Sequence, residues 1–131
     1  MAPRRASHKI GKSDRQLIGQ AELLPVVLAQ HLWAPLFRER RALIFIDNDA
    51  ARHAIIKGAS PSGPSAILVD AFWSKEAALG AFSWIERVPS QSNPADAPSR
   101  LEFAGLVKCG ARLREAGEVL GLSCVRQLAV G

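Results

Sequence analysis

Glu22, Asp47 and Asp96 are the residues whose types and placement could do chemistry. Glu22 lies near the start of a helical stretch, Asp47 closes a short apolar run, and Asp96 sits in a loop leading into another helical stretch. They are far apart in sequence, so only a fold could bring them together. Converging carboxylates repel one another unless cations neutralise them. Mg²⁺ prefers oxygen ligands and keeps several waters, so a few carboxylates and a phosphate oxygen suit it. Two such ions can activate water and stabilise the leaving oxygen of a phosphodiester. Each acid also has a plainer reading. Asp47 or Asp49 can cap the helix that follows, and Glu22 can complement a helix dipole from the first turn.

The element that must position Asp47 runs from Arg41 to Ile56. Leu43 to Ile46 is an unbroken apolar run, which predicts a strand buried on both faces, as in a parallel sheet. It stops at Asp47-Asn48-Asp49, all good helix N-caps, and Ala50 to Ile56 has helical character. Ligands bind at the carboxyl ends of strands in α/β sheets, where Asp47 would sit. Glu22 belongs to a helical segment expected over Leu17 to Phe37, its regular part ending at Ala34-Pro35, with Leu24, Val27, Leu28, His31 and Leu32 along its apolar face and Pro25 awkward within it.

Gly58 to Ser65 reads as a loop, and it is not a phosphate-binding P-loop because its second glycine precedes proline. Ser65 is expected to cap a helix from Ala66 to about Leu79, with Gly80 ending it. Ala81 to Val88 alternates and is aromatic, so a second strand is expected there. Pro89 to Pro98 is a polar loop, and Ser99 to about Leu120 is expected to be helical, with interruptions at Gly105 and Gly110.

Bulk properties narrow the function classes. The 131 residues suit one domain, and 48% hydrophobic content supports a core. The net charge of +5 and a pI near 9.9 favour polyanionic partners such as nucleic acid. Cys109 and Cys124 lack CxxC spacing, so free thiols and an intracellular location, nucleus or cytoplasm, are expected. No apolar run reaches the roughly 20 residues that span a bilayer, so no membrane contact is expected. Residues 1–16 read as a basic flexible tail; a transit peptide or a nucleic-acid-binding arm are the alternatives. His8, His31 and His53 show no ligand spacing, and His31 is expected to be a hydrogen-bonded packing residue. No GxSxG nucleophile motif is present, and Trp33, Trp73 and Trp84 are expected in the core.

Three stretches in order resemble the ribonuclease H-like domain of retroelement reverse transcriptases: Gln20-Ala21-Glu22-Leu23-Leu24, then Ile44-Phe45-Ile46-Asp47-Asn48, then Asn93-Pro94-Ala95-Asp96-Ala97-Pro98-Ser99-Arg100. Trp84 to Ser90, before the third stretch, is similar as well. The resemblance covers roughly Gln20 to Arg100. It implies that Glu22, Asp47 and Asp96 are catalytic ligands of two Mg²⁺ or Mn²⁺ ions, cleaving the RNA strand of an RNA–DNA hybrid. Asn48 and Arg100 match motif positions beside the acids and would contact that hybrid or brace the loop; a helix cap and a surface ion-pair partner are their alternatives.

The departures shape the expectation. The family begins with three antiparallel strands, the first carrying a fourth acid, and here only the basic tail precedes Gln20. Many members place a histidine before the last acid, where this chain has Ser90, Gln91 and Ser92. The expected fold is therefore α/β: a partial, N-terminally truncated ribonuclease H-like fold of two parallel strands with three to four helices. Residues 17–100 form its core and 101–131 a C-terminal helical extension. The strand ending at Asp47 would keep an open edge and an exposed apolar face. The expected function is metal-dependent hydrolysis of hybrids, impaired in the chain alone, with RNA–DNA hybrid or other nucleic acid as partner and another chain supplying the missing strands. The alternative is a non-catalytic nucleic-acid-binding or protein-interaction remnant.

Overall fold

A computed structural model describes residues 12–60 and 63–113. Of the tail expected over 1–16, residues 1–11 lie outside the described residues, as do Cys124 and the rest of 114–131. The architecture is mixed α/β, with helices packed on one side of two parallel strands. In chain order the elements are α1 (Lys12–Leu32), α2 (Ala34–Phe37), β1 (Arg41–Ile46), α3 (Asp49–Lys57), α4 (Gly63–Leu79), β2 (Phe82–Arg87), α5 (Asp96–Ser99) and α6 (Ala104–Lys108). A 3-10 turn at Ser90–Ser92 separates β2 from α5.

Both strands lie where the apolar runs predict them. Their parallel register pairs Leu43 with Trp84 and Ile44 with Ile85. Parallel strands need a crossover, and α3 and α4 supply it. Gly58 closes α3 with φ of 73°, and Gly80 closes α4 with φ of 60°. A side chain in that left-handed region would be strained, so glycine makes both stops inexpensive.

The core is one cluster: Leu23 and Val27 from α1, Ile46 from β1, Ala51 and Ile55 from α3, Leu68, Val69 and Phe72 from α4, and Ile85 from β2. Packed beside it is a buried polar contact between α1 and α4. Gln30 Nε2 donates to Glu76 Oε2 at 2.9 Å and to the Phe72 carbonyl at 3.2 Å. Burying an amide without such partners would cost free energy.

Several expectations need correction. α1 begins at Lys12 rather than Leu17 and ends at Leu32, with Ala34–Phe37 a separate turn of helix. Its buried line is Leu23, Val27 and Gln30, about one residue around from the expected face, because α4 offers Gln30 both a carboxylate and a carbonyl. Pro25 lies inside α1 on its exposed side; its missing N–H releases the carbonyl of exposed Ala21, which water can satisfy. α4 starts at Gly63, so Ser65 is a buried first-turn residue and not the cap.

The long helix expected from Ser99 is absent over its described part. Leu101 adopts φ of 62° and breaks the path between α5 and α6, and Gly110, at 78°, ends α6. Leu101, Phe103, Val107 and Leu113 are all exposed, so no packing surface holds a longer helix there. Trp33 and Trp84 are also exposed rather than in the core. Trp73 is exposed too, although its indole donates to the Ile55 carbonyl at 2.8 Å and its ring meets Phe72 edge-on. His31 is bonded as expected, through Nδ1 and the Val27 carbonyl at 2.8 Å.

Candidate metal centre at the carboxyl end of the sheet

Ile46 and Arg87 are register partners, so the residues that leave β1 and β2 share one end of the sheet. Asp47 is the first residue past β1. The cap of α3 is Asn48, whose side chain accepts the Ala51 N–H at 2.9 Å. That leaves Asp47 and Asp49 free of capping and available to other partners. It also commits the Asn48 carbonyl oxygen to the fold, which is the plainer of its two expected roles.

The two aspartates then diverge. Asp49 Oδ1 lies 3.3 Å from Arg52 Nη2 and 3.6 Å from Arg87 Nε, so two guanidinium groups tie it to α3 and to the end of β2. Asp47 has no such cation among the described residues. It is half-buried, and Ser90 Oγ donates to its Oδ2 at 3.5 Å. Its other neighbour is Glu22. The Glu22 carboxyl is held above the ordinary carboxylate range, first by burial and then by the charge of Asp47. Glu22 of α1, partly desolvated, therefore lies within reach of the charge of Asp47, just past β1. Glu22 lies well past the first turn of α1, so the helix-dipole reading no longer explains it.

Neither a family model, nor a curated protein, nor a solved structure matches the chain.

Asp96 is not joined to this pair. It opens α5 and is ion-paired with Arg100, four residues on, which is the plainer of Arg100's two expected roles. Ser99 Oγ donates to the Asp96 carbonyl at 2.6 Å and tightens the same turn. Among the described residues, no three His, Cys, Asp or Glu side chains stand together as a metal-binding group. The donor set that fits a divalent ion is the pair Glu22 and Asp47, since Mg²⁺ is often held by one or two carboxylates with water completing the shell.

Ser90 was not singled out as a contact of Asp47 from the sequence, although a signal for it existed. Two parallel strands that end level place the turn after β2 beside the residue after β1. The Val88-Pro89-Ser90 turn follows β2 directly, so Ser90 falls next to Asp47. The double clamp on Asp49 was missed because Arg87 reaches it only through the strand pairing.

Proposed function

We propose that the chain is a retroelement-derived, ribonuclease H-like module for metal-dependent hydrolysis of the RNA strand in RNA–DNA hybrids, impaired when the chain acts alone. The observation that carries this reading is that Glu22, partly buried on α1, feels the charge of Asp47 at the carboxyl end of β1. Two nearby acids with no cation partner among the described residues, in a chain of net charge +5, favour a divalent ion and a polyanion together. Glu22 and Asp47 would hold Mg²⁺ or Mn²⁺, and Ser90 would orient the Asp47 carboxylate. The chemistry a bound ion supplies is activation of water and stabilisation of the leaving oxygen. Asp96 would contribute a further ligand only on leaving Arg100.

The second reading is a non-catalytic remnant that binds nucleic acid or completes its sheet with strands from another chain. The engagement of Asp96 by Arg100 and the exposed apolar side of the sheet favour it. Cleavage of a labelled RNA–DNA hybrid with Mg²⁺ or Mn²⁺, beside Asp47→Asn, tests the first reading. Cleavage lost in the variant supports the nuclease. No cleavage by folded protein, with hybrid binding that weakens steeply with salt, supports the remnant. No hybrid binding at low salt leaves protein interaction as the role.

A further inference from the structure

We infer that the outer edge of β2 is a docking site for an extended peptide segment of a partner protein, which would add as a third strand beside β2. The inference holds whether or not the acids bind metal. It concerns the edge away from β1, so it is distinct from completion of the sheet beside β1.

The main chain points to an extended occupant. The Phe82 N–H donates to the Arg40 carbonyl at 2.9 Å, which fixes the phase of β2. Phe82, Trp84 and Glu86 therefore turn their N–H and C=O groups toward β1. Ser83, Ile85 and Arg87 turn theirs outward. Among the described residues no backbone partner meets them there. The outward N–H of Arg87 is satisfied instead by the carboxylate of Glu86, its own neighbour, at 3.0 Å. That local closure is what an edge does when no strand adjoins it.

The side chains point to the same occupant. Ile56 of α3 and Trp73 of α4 overhang the β2 edge, and Ile56 remains 53% exposed. Under the overhang is a notch of about 180 Å³ lined by Ile56, Trp73, Ser83, Trp84 and Ile85. One water needs only about 10–15 Å³ on that measure, so the notch is large enough for a bulky side chain. Ser83 is only 9% exposed, and its hydroxyl has no hydrogen-bond partner among the described residues. A buried unpaired hydroxyl is costly and is relieved by an incoming polar group.

An open strand edge beside an apolar notch is the arrangement in which a peptide gains affinity from main-chain bonds and specificity from alternate side chains. Its inward residue would be large and apolar, to fill the notch. One flank would be acidic, because Lys57 follows the lining residue Ile56, whereas Arg87 at the other end already meets the carboxylate of Asp49.

The test uses the full chain and the acetylated, amidated peptide Glu-Thr-Val-Phe-Val-Thr-Glu. Amide hydrogen exchange should slow at Ser83, Ile85 and Arg87, and remain unchanged at Leu43 and Phe45 on the far edge. N-methylation of one alternate set of peptide amides should abolish binding, and methylation of the other set should leave it. Ile56→Asp, at an exposed position, should weaken binding by at least about ten-fold. Four results would overturn the inference. They are no protection at about 1 mM peptide, a weak limit for specific association; protection at Leu43 and Phe45 instead; equal binding of both methylated peptides; and Ser83 and Ile85 amides already protected in the peptide-free chain. The last would mean that a second copy or residues 114–131 already occupy the edge, which sedimentation and a chain ending at Leu113 would tell apart.

Discussion

On the helix side of the sheet, Ile46 and Ile85 are sealed beneath α1, α3 and α4, whereas on the opposite side Leu43, Phe45, Phe82 and Trp84 are each more than half exposed. Both faces come from the same two apolar strands, and alternation sends neighbouring residues to opposite sides. What separates them is the presence of a second layer. Hydrophobic side chains leave water only where another surface arrives to cover them. Composition made both faces apolar, and the order of helices covered one.

The largest test of that contrast lies in the covered layer. Phe72 is fully buried at the centre of the cluster, and Phe72→Ala should cost roughly 3–5 kcal/mol in urea unfolding, from lost burial and the cavity left behind. Next comes the polar contact under the same layer. Gln30→Ala strips buried Glu76 of its donor and should cost roughly 1–3 kcal/mol by the same measurement. On the bare face the expected effect is small. Leu43→Thr and Trp84→Thr keep strand propensity and should each change stability by no more than about 0.5 kcal/mol, while raising the solubility limit. A loss several times larger would mean that something covers this face in solution and would dissolve the contrast.

A further test sharpens the comparison between the acid pair and the rest of the surface. Glu22 binds its proton more tightly in the folded chain than in the unfolded one. Between the ordinary carboxylate range and the raised folded value, the folded state holds more protons, so stability falls as pH rises through that window. Glu22→Gln should flatten this part of the profile and stabilise the chain above it. Asp47→Asn should do so in part, since Asp47 is the second cause of the shift and burial is the first. A profile unchanged by Glu22→Gln would sink the pairing on which the proposed metal centre rests. Mg²⁺ should raise the melting temperature of the native chain but not of Asp47→Asn.

Much of the scaffold was legible. Leu43 to Ile46 and Phe82 to Ile85 read as strands because apolar and β-branched residues cluster there, and Gly80 read as a stop because few other residues adopt its conformation. The acidic turn after β1 was legible as a helix start, though not which of its three candidates would be the cap. The stretch after Ser99 misled because its residues have helical propensity, and propensity without a packing surface does not sustain a helix.

By itself the sequence determined the two strands, the crossover between them, the apolar character of both sheet faces and the acid that would end β1. Those features depend on residues adjacent in the chain, and local periodicity encodes them. Tertiary structure alone decided that Glu22 comes within reach of the Asp47 charge, that Arg87 claims Asp49, that Asp96 turns to Arg100, and which sheet face is covered. Each of those depends on register and helix phase, where a shift of one residue turns a side chain to another face.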